Sequence, residues 1–364
     1  MKKFLLLASA ALMMVACAPQ NGLSVKGQLT SDNPDELNGP VYLHCRGGQS
    51  DTTEMVNGEF LFEVELAEPT DFYLMVGTER LPLFLEHAKY TITGNVGDLR
   101  NAKIEGGDTQ RLLNRMKEIS EEIKSAYNLD SLAKAFNSTQ DQEERDRIYA
   151  VFQKVKDDVE ARKQELIEQN KATHFAFQEF SSSYIYMEFE EAKARFQYYA
   201  EHQKFKNLSK IEKIKEQLDL LENVQVGKQA PDFTMNDPQG NPITLSDIYK
   251  NNKVTMIDFW AGWCGPCRQF NPTLVNIYKE FHARGFEILG VSLDSDHAKW
   301  TDAIKTDNLT WPQVSELKQW NTSVAKTYAV RYIPQNLFVD ENGVIIARVL
   351  SEEEIVNFLN EKLQ

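Results

Sequence analysis

The sequence predicts a multidomain α+β protein: an N-terminal β-sandwich, a helical middle region and a C-terminal α/β domain. Three observations carry this. Apolar and polar residues alternate in short runs across residues 21–107, apolar residues recur at helical spacing across 109–222, and beyond 226 strand-length apolar runs alternate with amphipathic helical patterns. A chain of 364 residues is long enough for several domains, each with its own core, and 42% hydrophobic with 26% charged residues is ordinary for globular domains. The net charge of −14 argues against nucleic acid or an anionic membrane surface as the main partner.

The chain begins with a positive pair, Lys2 and Lys3, and an apolar run from Phe4 to Val15, too short to cross a bilayer as a mature helix. Val15-Ala16-Cys17-Ala18 follows. These residues resemble a bacterial lipoprotein signal, with Met14 where leucine is usual. The resemblance implies that residues 1–16 are removed, that Cys17 is lipidated, and that a lipid anchor holds the chain in the cell envelope facing the periplasm. An ordinary signal peptide cut near Ala16 or Ala18 is the alternative, and both predict export. No later stretch has the roughly 18 uninterrupted apolar residues of a membrane span.

Residues 17–107 form the predicted β-sandwich domain. Leu23–Leu29 and Glu59–Leu66 alternate strictly, and Asn57-Gly58 between Thr53–Val56 and Glu59–Leu66 is a hairpin signal, since a type I′ turn needs positive φ at both positions. Further short strands are expected at Phe72–Val76, Leu81–Leu85 and Tyr90–Thr93. Cys45, in the strand-like run Val41–Cys45, is expected to be a small buried hydrophobe, and His44 and His87 to be structural. Gly106-Gly107 ends the domain, and Asp108 or Thr109 is expected to cap the helix beyond it.

Residues 108–222 are expected to be helical. Leu112, Met116, Ile119 and Ile123 share one face, as do Ile148, Phe152, Val155 and Val159, while the outer faces are charged. Asn137-Ser138-Thr139 and Ser181-Ser182-Ser183 mark expected breaks, and the aromatic-rich segment Phe175–Tyr199 is expected to pack against a neighbouring domain. The charge runs are solvated helix surface.

Residues 226–364 are the expected α/β domain. A leading hairpin turns at Asp237–Asn241 and a short helix starts at Leu245. Strand Val254–Phe259, helix Gly265–Ala283 closed by Gly285, strand Phe286–Leu293, a helix around Lys299–Lys305, helix Thr322–Tyr328, strand Gln335–Val339 and strand Val344–Val349 follow. Ser351 with Glu354 three residues on is a capping box for the last helix.

Chemistry concentrates at Cys264-Gly265-Pro266-Cys267, between a buried strand and a helix. That junction puts the first sulfur at a helix N-terminus, where unpaired N–H groups and the macrodipole favour a thiolate. A four-ligand zinc site needs two more thiolates or histidines at ligand spacing, and only the distant Cys17 and Cys45 remain, so no metal is expected. The pair is a redox dithiol, with Cys264 placed to attack and Cys267 to resolve. Asp258, inside a strand, is costly to bury; a raised pKa would let it take the proton from Cys267. The alternative is an outward-pointing carboxylate. Pro334 after Ile333 is open between a cis bond and a plain loop proline.

Ile257-Asp258-Phe259-Trp260-Ala261-Gly262-Trp263-Cys264-Gly265-Pro266-Cys267, with Pro272 five residues beyond, resembles the active-site segment of thioredoxin. Gly227–Phe233, Ile288–Asp294 and Tyr328–Pro334 extend the resemblance to the exported TlpA/ResA-like thioredoxin family across residues 226–364. The resemblance implies a thiol-disulfide oxidoreductase with no cofactor, Cys264 as nucleophile, Cys267 as resolving thiol, and Pro334 as a cis-proline. A substrate strand would dock beside Ile333 and Pro334, against Trp263, Gly265 and Pro266. It also implies exported disulfide-containing proteins as partners and a membrane electron donor that re-reduces the dithiol. More weakly, residues 21–222 resemble the N-terminal half of some exported lipoproteins.

Three positions depart from the family pattern. Phe270 stands where glutamate is common, no lysine lies in Ile288–Asp294 to accompany Asp258, and Asn336 replaces the usual threonine after the cis-proline. Cys-Gly-Pro-Cys with Ile333 before the proline resembles the reducing end of the fold, and implies a reductase or isomerase. Two other readings stay open. A peroxiredoxin-like thiol peroxidase would want proline and threonine or serine around its cysteine, whereas Ala261 stands three before Cys264. The other is a binding or scaffold lipoprotein whose redox domain is auxiliary.

Overall fold

The computed structural model of the protein describes residues 22–45, 48 and 50–364. The leader and Cys17 lie outside them. The chain divides into two compact units, Met1–Ser182 and Ser183–Gln364.

The first unit contains β1 (Leu23–Thr30), β2 (Gly39–Cys45), β3 (Ser50–Met55), β4 (Glu59–Val64), β5 (Thr70–Val76), β6 (Glu79–Leu85), β7 (Lys89–Asn95) and β8 (Lys103–Glu105). They form two four-stranded sheets, β4-β1-β7-β8 and β3-β2-β5-β6. The expected sandwich is present. Alternation builds it: Leu23, Val25 and Leu29 of β1 turn inward and share one core with Val41, Leu43, Leu74 and Leu83 of the other sheet. Each fully buried aliphatic side chain there contributes about 1.5–3 kcal/mol.

Asn57 and Gly58 do adopt positive φ, 49° and 81°. They do not close a simple two-stranded hairpin. Only Val56 and Glu59 pair across the turn; β3 then joins β2 and β4 joins β1, in opposite sheets. The cause is local: Gly58 N–H donates to Leu37 O and its carbonyl accepts from Leu29 N, each at 2.8 Å, so the turn is knitted to both neighbours. Cys45 is partly rather than fully buried, at the end of β2.

Helices α1 (Asp108–Ala126), α2 (Leu129–Ser138), α3 (Gln142–Gln169) and α4 (His174–Ser183) follow. Neither Asp108 nor Thr109 caps α1: the cap position is Gly107, and the buried Glu86 carboxylate accepts from Thr109 N at 2.9 Å and from its hydroxyl at 3.2 Å. A carboxylate from the β6–β7 turn thus satisfies an orphan donor of the first helical turn. Two expected breaks lie further along, because α2 includes Asn137 and Ser138, and α4 runs through Ser183. The aromatic segment divides between the units. Phe175, Phe177 and Phe180 of α4 are buried, and Gln178 Nε2 donates to Asp71 on β5 at 2.7 Å.

The second unit starts with a short turn at Tyr184–Tyr186, then α5 (Phe189–Glu201) and α6 (Ser209–Glu222). β9 (Thr234–Asn236) and β10 (Pro242–Thr244) make the expected leading hairpin, with Asp237 Oδ1 accepting from the Gln239 and Asn241 amides. Then come α7 (Leu245–Tyr249), β11 (Val254–Trp260), α8 (Gly265–Phe281), β12 (Phe286–Ser292), α9 (His297–Thr306), β13 (Gln313–Ser315), α10 (Ser323–Thr327), β14 (Gln335–Asp340), β15 (Ile345–Arg348) and α11 (Glu352–Lys362). The five-stranded sheet has the order β13-β12-β11-β14-β15 and is mixed, β11 pairing parallel with β12 and antiparallel with β14. β13 escaped the sequence reading because three residues behind Pro312 carry no periodicity. All seven residues of β11 are buried, so the strand that leads to the cysteines is the centre of the core.

Candidate active site

β11 ends at Trp260, a short loop follows, and Cys264 is the N-cap residue of α8 with φ −83° and ψ 103°. Its Sγ accepts from the Cys267 amide at 3.2 Å, the bond an N-cap side chain makes to a first-turn donor. Cys264 and Cys267 are joined as a disulfide with Cα atoms 5.3 Å apart. Cys264 is 5% exposed and Cys267 1%, so Cys267 lies the deeper of the two. Gly265 and Pro266 occupy the first helical positions and are exposed. Pro266 fits there because an orphan N–H is not needed in the first turn.

Ile333-Pro334 is a cis peptide, and Ile333 O approaches Cys264 Sγ to 3.8 Å. Of the two readings open in the sequence, the cis one stands. Trp263 is 52% exposed beside the sulfurs; its indole Nε1 donates to Leu293 O at 3.3 Å, and its ring faces the exposed Trp320 with centroids 6.3 Å apart.

Asp258 points inward, at 2% exposure, in β11. Burial pushes its carboxyl from 3.8 up to about 7. Its cross-strand neighbour on β12 is Gly290, which offers no side chain, and a Cβ there would run into Gln313. Among the described residues no charged partner offsets that burial. Its neighbour on the other side, Asn336, is committed elsewhere: its amide donates to Leu350 O at 2.9 Å and accepts from Leu350 N at 2.8 Å. The unusual asparagine thus ties β14 to the turn after β15. Phe270, in place of glutamate, packs on the core.

The loop before Cys264 is fixed from both ends of one residue. Gly262 N donates to the buried Asp294 carboxylate at 2.9 Å, which also accepts from Ser292 Oγ at 2.8 Å. Gly262 O accepts from Arg268 Nη1 at 3.1 Å. Arg268 is in turn held by Asp307, through Nε and through Nη2 to Oδ1 at 2.7 Å, and Asn271 Nδ2 donates to the same carboxylate at 2.7 Å. Asp307 keeps the guanidinium above its ordinary value. Arg268, Asp307 and Trp320 were missed by sequence reasoning: Arg268 and Asp307 are 39 residues apart and no local pattern joins them. Asp294 was visible only as the end of a family motif.

α6 reaches the same region. Buried Gln217 donates through Nε2 to Ala329 O at 2.9 Å and accepts from Arg331 Nε at 2.5 Å. Ala329 sits at φ 56°, a conformation costly for a residue with a Cβ, so this turn into the cis-proline segment is held by the helix.

A helix-capping dithiol beside an accessible edge moves two electrons by disulfide exchange, the chemistry of thioredoxin-like proteins. Residues 226–348 match the AhpC/TSA family, and residues 23–113 match DUF4369, a domain of unknown function. The thiol-disulfide oxidoreductase ResA of Oceanobacillus iheyensis is 30% identical over 144 residues, 38% of this chain and 72% of that protein. ResA of Bacillus cereus is 27% identical over 132 residues, 36% of this chain and 73% of that protein. A solved thiol-disulfide oxidoreductase from Bacteroides fragilis aligns at 34% identity over 37% of this chain and 98% of its own, with a TM-score of 0.35. The chain belongs to the ResA-like thiol-disulfide oxidoreductases, joined to an N-terminal DUF4369 domain.

Proposed function

We propose that the mature chain is a lipid-anchored reductase or isomerase of exported disulfide proteins, acting through Cys264 and Cys267. The observation that carries this reading is Cys264 at the N-cap of α8 with the cis-proline carbonyl of Ile333 alongside. In the dithiol form the Cys264 thiolate attacks one sulfur of a substrate disulfide. That bond breaks, a mixed disulfide forms, and the first substrate sulfur leaves and takes a proton. Asp258 then accepts the Cys267 proton, and the Cys267 thiolate attacks Cys264 Sγ. The second substrate thiolate is released, and the Cys264–Cys267 disulfide remains. Trp263, Gly265, Pro266, Ile333 and Pro334 form the surface on which the substrate strand rests.

The oxidised enzyme needs two electrons back, which the proposal assigns to a membrane electron donor reached from the anchor at Cys17. That places the enzyme in the cell envelope, facing the periplasm. Among the described residues no helix is long and apolar enough to cross a membrane. We take residues 17–107, 108–222 and 226–364 as the working domains, with 1–16 as leader. Direction is tested by potential. Thioredoxin lies at about −270 mV and the oxidising end of the fold at about −120 mV, a gap of roughly 7 kcal/mol for two electrons. A value near the reducing end is expected, and one above about −150 mV would overturn a reductase role. Cys267→Ser should accumulate mixed disulfides with substrates in cells, and Cys264→Ser should not.

A further inference from the structure

Next to the cis-proline segment lies a cavity of about 170 Å³ that the exchange chemistry leaves unused. Tyr186, Gln217, Arg331, Tyr332, Gln335 and Arg348 are among its lining residues. It is smaller than pockets for drug-sized ligands, roughly 300–1,000 Å³, and has room for one side chain rather than a cofactor.

Its polar groups are incomplete. Gln335 is 5% exposed, and its Oε1 is buried without a hydrogen-bond partner. Arg348 Nε is likewise buried without a hydrogen-bond partner. Burial pushes Arg348 below its ordinary value, with Glu188 and Tyr332 opposing the shift. A buried donor or acceptor left without a partner is costly, so two on one small cavity call for a ligand that supplies both partners. Two guanidinium groups, Arg331 and Arg348, face a single carboxylate, Glu188, among the lining residues. The site is cationic in an otherwise acidic protein.

We propose that this cavity is a specificity pocket for an acidic side chain of the disulfide substrate. Its carboxylate accepts from Arg348, while an N–H of the same peptide donates to Gln335 Oε1. The inference rests on the exchange function above and names the substrate feature that function selects. Gln335 follows Ile333 by two residues across the cis peptide, so their Cα atoms are at most about 7 Å apart. The recognised residue therefore lies within about three positions of the substrate cysteine.

The test uses the full-length reduced protein and disulfide-linked peptides in which one position, scanned from three before to three after the cysteine, is Glu, Gln or Lys. At one position Glu should exceed Gln about tenfold in kcat/KM and exceed Lys by more, with the advantage shrinking as salt is raised. In Arg348→Gln the Glu/Gln ratio should fall to within about twofold of one. Equal rates for Glu and Gln at every position in the unmodified enzyme would overturn the pocket, with no variant needed. So would a preference that survives in Arg348→Gln. If free glutarate accelerates or blocks reduction of all peptides alike, the site takes a free dicarboxylate and the substrate assignment fails. Reduction of none of the peptides would instead refute the exchange function itself, and the pocket assignment with it.

Discussion

Replacing Asp258 with asparagine should stabilise the second unit above neutral pH while slowing its chemistry. Asp258 ionises in the unfolded chain near the ordinary carboxylate value, but in the fold burial raises it from 3.8 to about 7. Between those values the folded state holds a proton that the unfolded state has lost. Stability therefore falls as pH rises through that window, and the full penalty is in place above about pH 7. At about 1.4 kcal/mol per unit, the penalty is about 4 kcal/mol. Asparagine has the same shape and no charge. The stability difference between Asp258→Asn and the parent should thus grow from near zero around pH 4 to about 4 kcal/mol by pH 8. Urea unfolding of the oxidised protein reports it cleanly through tryptophan fluorescence, because Trp260, Trp263, Trp300, Trp311 and Trp320 all lie in the second unit. A difference that stays constant within about 1 kcal/mol across that range would refute the buried, unpaired carboxyl. The same variant should resolve mixed disulfides about 100-fold more slowly at pH 7 and lose any rate dependence centred there.

Asp307→Ala removes the partner that holds Arg268, leaving a partly buried guanidinium and an untethered Gly262 carbonyl. It should cost about 2–3 kcal/mol in the same fluorescence assay, and an unchanged midpoint would dismiss the clamp. Glu86→Ala, which uncaps α1, should lower the stability of the first unit by about 1 kcal/mol. Circular dichroism would follow that change, and an unchanged midpoint would dismiss the cap.

Much of the redox unit was legible because its signals are local. The apolar run of β11, the proline at the head of α8 and the capping box at Ser351 each fall within a few residues, and each formed where expected. Partnership across distance was not legible. Asn57-Gly58 specified its turn but not which sheet each arm would join, since that depends on Leu29 and Leu37. The start of α1 looked self-capped until Glu86 arrived from a turn 23 residues upstream. At the site, the cysteines and Asp258 could be read from one segment. The Arg268–Asp307 pair, Gln217 on Ala329 and the unpaired atoms of Gln335 and Arg348 arise only when separate elements meet.

Gln217 has a consequence for how such an enzyme can diversify. The sulfurs and Asp258 are carried by β11 and α8, while the turn into the cis-proline segment is braced by a helix more than a hundred residues before it. On the proposed function, changes in α6 would therefore reshape the surface a partner meets while leaving the cysteines in place. The braced turn can drift in sequence while the cysteine-bearing strand and helix are held still.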